Sequence, residues 1–414
     1  MTDRRDFLKT STLLGFGATV PAFLSRTAAT AAPTGKPGAK DTILVVVQLT
    51  GGNDGLNTLV PYKDAEYYKL RPSLAIPKDQ VKGIGHDLGL HPAMEATARL
   101  FNDQSAVCVV QGVGYPNPSQ SHFRSMDIWQ AASTQETLSE GWVGKALKTQ
   151  PGPAFHLAAG NESAPLALNG APVRVPSITS LEDFQLKMAA ASGADQAAQK
   201  GVITGVAGTP TSPGSPNRLL DFVARTQLNT YASSDKLATV GKNYQPKVPY
   251  PETPFASRLK LAAQLIEAGT GARIYYVSHA NFDTHAGQGG AAGAHANLLR
   301  QLSDGLSAFY RDLAERGHKD RVCVMTFSEF GRRAGENSSK GTDHGSGAPM
   351  FLIGGKVKPG VVGEHPSLTK LEAGNLVHGI DFRRVYAAVL DKWLGIESQS
   401  VLGPGFESAE VFAA

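Results

Sequence analysis

Five stretches of the chain are almost continuously apolar, and each gives way to polar or glycine-rich residues. They are Thr42–Leu49, Ser105–Gln111, Ala272–Ser278, Arg321–Phe327 and Pro349–Ile353. Strands of this kind are buried on both faces, as in parallel sheets covered by helices. Between them the period lengthens. Ala294–Arg316 sets Leu298, Leu302, Leu306, Phe309 and Leu313 at three- and four-residue steps, the buried face of a helix that Gly317 stops. His91–Asn102 and Phe255–Ala268 read as further helices. Another opens in the Pro-punctuated loop Gly114–Ser125, with Ser119 or Ser121 suited to its N-cap, and runs to about Ala132. Asp381–Leu394 is a closing helix, capped by Asp381 and ended by Gly395. Strands alternating with helices predict an α/β fold, a doubly wound and mostly parallel sheet flanked by helices. The pattern weakens from Pro151 to Thr253. Lys187–Asn217, rich in Ala, Gly, Ser, Thr and Pro, reads as a flexible insertion, with helix expected over Asn217–Val240. Residues 41–400 are expected to form one domain and 401–414 a C-terminal tail.

Open α/β sheets bind ligands beyond the carboxyl ends of their strands. Four predicted strands end there in polar clusters: Asn53/Asp54, Ser119/Ser121/His122, Asp283/His285, and Glu329 followed by Asp343/His344. Taken singly, these are a turn, a helix cap, a solvated loop and a surface carboxylate. Taken together they bring carboxylates and imidazoles to one sheet edge, a donor set for a divalent metal. Arg332, three residues beyond Glu329, is placed to grip an anionic substrate. His279 and His295 flank the Asp283 loop as supporting or substrate-facing groups, and His378 precedes the last helix near the same edge. His86, His91, His156 and His318 read as surface or structural residues.

Composition narrows the function. Of 414 residues, 41% are hydrophobic, enough for a large core, and the net charge of +4 is not gathered into a basic stripe, so nucleic-acid binding is not expected. Gly51–Gly55 lacks the GxGxxG spacing of a dinucleotide site. Gly52-Asn-Asp54 follows no Gly-Asp-Ser segment, against an SGNH-type esterase. At the N-terminus, Arg4-Arg5 precedes a short apolar run over Ser11–Leu24 and the small residues Ala29-Thr-Ala31. This is the pattern of a twin-arginine signal spanning residues 1–31, with a linker over 32–40. The mature chain is therefore expected to be periplasmic or otherwise extracytoplasmic, exported folded by the twin-arginine translocation machinery, with no integral membrane span. Cys108 and Cys323 sit in apolar strand runs and read as buried thiols.

The order of these motifs resembles the alkaline phosphatase/sulfatase superfamily, and within it an exported, sulfatase-like family of unknown function. The resemblance covers most of residues 41–396. It rests on Leu49–Asn57, Ser121–Asp127, Phe282–His285, Ser328–Arg332 and Thr342–Gly347, together with the twin-arginine signal. It implies an alkaline phosphatase-like fold and one or two divalent ions (Zn, Mn, Mg or Ca). By position it implies Asp54, Asp283, His285, Glu329 and His344 as metal ligands, with Asp343 beside them. Ser121 would be the nucleophile at its helix N-terminus, with Ser119 and Ser125 as substitutes and His122 and Arg332 assisting. The implied activity is hydrolysis of an anionic phosphate or sulfate ester. The alternative is a non-catalytic binding or assembly protein that keeps the fold. Two departures stand out. Phe330 follows Glu329 where the superfamily has His, and Cys-x-Pro-Ser-Arg, the mark of a formylglycine sulfatase, is absent.

Overall fold

The computed structural model describes residues 41–181 and 243–413. The expected signal segment, the linker, the 187–217 insertion and the 217–240 helix lie outside the described residues. The main sheet is built from β1 (Ile43–Leu49), β2 (Val107–Gly114), β3 (Ala154–Leu157), β4 (Ser177–Ile178), β5 (Ile274–His279), β6 (Val322–Ser328), β7 (Ala348–Ile353), β8 (Gly360–Val362) and β9 (Ile380–Asp381). Their order is β8-β2-β7-β6-β1-β5-β3-β4, with β9 also on β2. β1 pairs in parallel with β5 and β6, whereas β7 runs antiparallel to both β6 and β2. Hence β1, β2, β5 and β6 all point the same way, and their carboxyl ends share one edge. The fold is mixed α/β, a large mostly parallel sheet flanked by helices.

Every residue of β1 is buried, and the strand's two-residue alternation divides it between two cores. Ile43, Val45, Val47 and Leu49 face one layer, where α4 (Pro254–Glu267) and α5 (Ala294–Glu315) supply Phe255, Leu259, Leu302, Leu306 and Phe309. Leu44 and Val46 face the other, against α2 (His122–Ala131), α3 (Trp142–Thr149) and α6 (Phe382–Ala388). α1 (Glu95–Asn102) joins the first layer through Ala98 and Leu100. In α5 the core position expected for Leu298 is taken by Leu299, and Leu298 is only partly buried. The other expected positions, Leu302, Leu306, Phe309 and Leu313, are buried.

The second core is held by stacked rings. Trp129 lies on Phe382 at 4.2 Å between centroids and on Phe327 at 5.6 Å, both nearly parallel. Trp142 stacks on Tyr386 at 4.5 Å. Trp129 therefore fastens α2 both to β6 and to α6. Beyond Leu402 the chain folds back, burying Val411 and stacking Phe412 on Trp393 at 5.4 Å. Cys108 and Cys323 are free, buried thiols on β2 and β6, with β7 lying between those strands. Burial pushes the Cys108 thiol up to about 12, so it stays protonated and packs as an apolar residue. The structure has no helix among the described residues long and apolar enough to cross a membrane.

Trp129→Ala removes the ring joining three elements, and large-to-small changes of this kind cost about 3–5 kcal/mol. Chemical denaturation should show a loss of that size. A loss under about 1 kcal/mol would show that the stack is not what fastens α2 to the sheet.

Candidate metal centre

Three imidazoles and one carboxylate meet beyond the carboxyl ends of β2, β5 and β6. His122 is the first residue of α2, Asp283 and His285 lie in the loop after β5, and His344 lies between β6 and β7. His285 Nε2 is 2.8 Å from His344 Nε2. Asp283 Oδ1 is 3.1 Å from the first of these atoms and 3.3 Å from the second. His122 Nε2 lies 3.4 Å from Asp283 Oδ2 and makes no hydrogen bond, although it is buried. The donor atoms of His122, Asp283 and His344 all fall within 4.8 Å of one another.

The far side of each ring decides what the near side offers. His344 Nδ1 lies 2.7 Å from the Gln120 carbonyl oxygen. A carbonyl can only accept, so Nδ1 carries the proton and Nε2 presents a lone pair. His122 Nδ1 donates in the same way to Glu329 Oε1 at 2.9 Å, and His285 Nδ1 faces Asp343 Oδ1 at 3.4 Å. Each ring is thus tethered by Nδ1 to an oxygen and turns Nε2 toward Asp283. Neighbouring lone pairs at such distances repel unless a proton or a cation stands between them. A tetrahedral ion with bonds of about 2.0–2.1 Å sets its donors roughly 3.3–3.4 Å apart. That is close to the 3.1, 3.3 and 3.4 Å between Asp283 and the three rings, and wider than the 2.8 Å between His285 and His344. His122, Asp283 and His344 form the set that fits, and His285 flanks it. The residues therefore fit a divalent ion held by nitrogen and oxygen, with the tethers as its outer layer.

The local electrostatics differ from ring to ring. The hydrogen bond that His122 donates to Glu329 raises the pKa of His122 against the opposing effect of burial. Burial lowers that of His344, which stays a neutral donor. Burial alone would raise Asp283, but the Arg332 hydrogen bond and charge hold its carboxyl below the usual range. Arg332 is itself 1% exposed. It donates to the carbonyls of Gly51, Gly52, Phe282 and Thr342, and to Asp283 Oδ1 at 2.7 Å. Gly51 and Gly52 have φ of +121° and +79°, and a Cβ on either would run into the Asp283 backbone or the Phe330 ring. Phe330 floors the site, its ring 4.9 Å from that of His122 and 4.5 Å from that of His344.

Of the residues singled out from sequence, Asp283, His285 and His344 converge, joined by His122, which was expected to assist chemistry. Glu329 and Asp343, expected as ligands, instead meet His122 and His285 from behind. Glu329 also accepts from the Gly51 amide at 2.8 Å, and Asp343 from Asn337 at 2.9 Å. Asp54 stands apart, fully buried, its Oδ2 held by Arg71 at 2.6 Å and Gln288 at 2.5 Å. Arg332 faces inward, its N–H groups committed to the surrounding loops. Ser121 occupies the N-cap position of α2, exposed and with no capping bond, whereas Ser125 is buried and donates to the Glu329 carbonyl. His279 stacks on Phe255 at 4.6 Å, and His295 Nε2 lies 2.9 Å from Asn53 Oδ1. The Gln120 carbonyl, Arg71 and Gln288 escaped the sequence reading. A main-chain acceptor leaves no residue signature, and Arg71 and Gln288 lie in loops without periodicity.

A family model described as a protein of unknown function (DUF1501) matches residues 115–403. The chain belongs to that family. All four converging residues lie within the DUF1501 span, and Asp54 lies before it. No curated protein matches the sequence. Among solved structures, the PsFucS1 sulfatase from Pseudoalteromonas sp. is 12% identical, covering 89% of this chain and 73% of that one, at a TM-score of 0.35. The lipoteichoic acid synthase LtaP from Listeria monocytogenes is 12% identical, covering 93% and 81%, at 0.35. The alkaline phosphatase from the Antarctic bacterium TAB5 is 8% identical, covering 76% and 92%, at 0.28.

Burial would raise the Asp54 carboxyl, but Arg71 and Gln288 bring it down to about 2 from an ordinary 3.8. A depressed folded pKa stabilises above the unfolded value and is lost as pH falls through the folded one. The contribution, on the order of 2 kcal/mol, is nearly complete above about pH 4, falls as pH drops toward the folded pKa and is gone below it. Asp54→Asn should therefore be less stable than the native chain near neutrality and approach it in acid, as urea unfolding at a series of pH values would show. A difference that stays constant from neutral to acid pH would contradict this origin.

Proposed function

We propose that this chain is an exported, metal-dependent hydrolase of phosphate or sulfate esters. The observation that carries the reading is the set of three Nε2 lone pairs turned toward one carboxylate, each fixed from behind. Imidazole nitrogens beside a carboxylate oxygen favour zinc over manganese, magnesium or calcium, which suit oxygen donors. One ion is the better count. The carboxylates that would serve a second ion are engaged elsewhere, Asp54 by Arg71 and Gln288, Glu329 by His122 and Asp343 by Asn337. A bound ion supplies charge stabilisation at the non-bridging oxygens of the ester and lowers the pKa of the attacking group.

The chain's own residues do the rest. Ser121 offers an exposed hydroxyl one residue before His122, at a helix start whose free N–H groups suit an anion. Arg332 holds Asp283 in place. The neighbouring Arg333 is exposed, and no ion pair engages it among the described residues. Its charge reaches Asp343, whose carboxyl the Asn337 hydrogen bond lowers first. We assign Arg333 the grip on the anionic part of the substrate. The order of the motifs, carried on one edge of a mostly parallel sheet, supports the alkaline phosphatase-like reading. Arg4-Arg5 and the apolar run after it support export by the twin-arginine route.

Metal analysis of the purified protein should give about one ion per chain. His344→Ala and Asp283→Ala should each weaken its affinity about 10–100-fold or more. Ser121→Ala should keep the ion and lose turnover of aryl phosphate mono- and diesters and aryl sulfates. Arg333→Gln should raise KM for these substrates with the metal content unchanged. Absence of any ion, or hydrolysis undiminished in Asp283→Ala, would overturn the proposal. A tightly held ion with no turnover on any of these esters would instead favour the binding protein.

A further inference from the structure

Gln288 is fully buried in the loop after β5, away from the converging imidazoles. Its side chain nevertheless touches the two loops that carry Asp283, His285 and His344, and a third, the loop after β1. Oε1 accepts from Thr284 Oγ1 at 2.9 Å and from Thr342 Oγ1 at 2.8 Å, and Nε2 donates to Asp54 Oδ2 at 2.5 Å. Thr284 stands between Asp283 and His285. Thr342 immediately precedes Asp343 and His344. Asp54 ends the loop after β1 and is anchored by Arg71, whose other N–H groups reach Asn57 and the carbonyls of Ala334 and Arg333. The chemistry of the partners fixes the amide's orientation. Two hydroxyl donors demand the carbonyl oxygen, and a carboxylate demands the NH₂ group.

We infer that Gln288 is a positioning residue that sets the spacing between the Asp283/His285 loop and the Asp343/His344 loop, and so tunes the affinity and geometry of the metal centre. The inference rests on the metal reading proposed above. A planar amide meets the requirement because it offers two lone pairs on one side and a donor on the other. A glutamate would set a second carboxylate against Asp54, and a methionine would fill the volume while tying nothing. The main chain brings the same two loops together. Gln288 N donates to the Lys340 carbonyl at 2.9 Å, and Thr342 N to that of Thr284 at 3.2 Å. These bonds keep the loops adjacent when the side chain is changed, so its loss shifts their spacing rather than unfolding them. Asp54 thus bears on the centre from behind, as the far anchor of a relay.

The probe is cobalt(II) added to metal-free protein, read by titration and by the visible ligand-field spectrum. Gln288→Met should bind cobalt about tenfold or more weakly, with a shifted spectrum. Thr342→Val should move both readouts the same way, whereas Thr342→Ser, which keeps the hydroxyl, should retain native binding. Metal-free Gln288→Met and metal-free native chain should melt closer together than their cobalt-loaded forms. Should Gln288→Met fail to fold, the two Thr342 variants decide. Native cobalt affinity and spectrum in Gln288→Met or Thr342→Val would overturn the inference while leaving the metal reading intact. Equal melting losses with and without cobalt would reduce Gln288 to a structural role and likewise overturn it. A native chain that takes up no cobalt would overturn the metal reading itself, and this inference with it.

Discussion

A guanidinium taken out of water must have its donors met, or its burial costs several kcal/mol. Arg332 is such a group, and its acceptors are drawn from three separate loops at the sheet edge. The loops after β1, β5 and β6 are therefore not free to drift relative to one another. The same demand explains the paired glycines at 51 and 52, whose carbonyls turn inward where a side chain on either residue would collide. Without this staple, strands ending side by side would deliver their polar residues to one region but not to one point.

Around that staple the site is built in two layers. The inner layer is imidazole and carboxylate. The outer layer is an alternation of acceptors, with Glu329, Asp343 and the Gln120 carbonyl each fixing one ring. Glu329 couples the layers most tightly, since it is buried and also accepts from the Gly51 amide. A carboxylate that orients an imidazole does different work from one that binds an ion, although both carry the same charge and lie a few Å apart.

The sheet was legible in the sequence because short, continuous apolar runs bounded by glycine and polar residues read as buried strands. The register of β1 against its neighbours, by contrast, left no mark in a run apolar on both faces. β3 and β4 were not, being short strands in a stretch of weak pattern. The site was legible as a set of loops and less so as a set of roles. Spacing along the chain showed that Glu329 and Asp54 reach the right edge, but not which way each carboxylate turns. That choice is made by long-range partners, Arg71 for Asp54 and His122 for Glu329. Phe330, which looked like a missing ligand, floors the pocket between two rings, and His122 reaches Asp283 from another element.

The converging residues come from positions 122, 283, 285 and 344, more than 200 residues apart at the extremes. His344 is held by the main chain just before α2, so the two ends of that span touch directly. Contacts so distant along a chain carry a loop-closure cost that must be met before they reward it. No partial chain ending before residue 344 could present the complete set. An ion held there would bind the finished fold alone and stabilise it by mass action, which makes the centre a record that folding is complete.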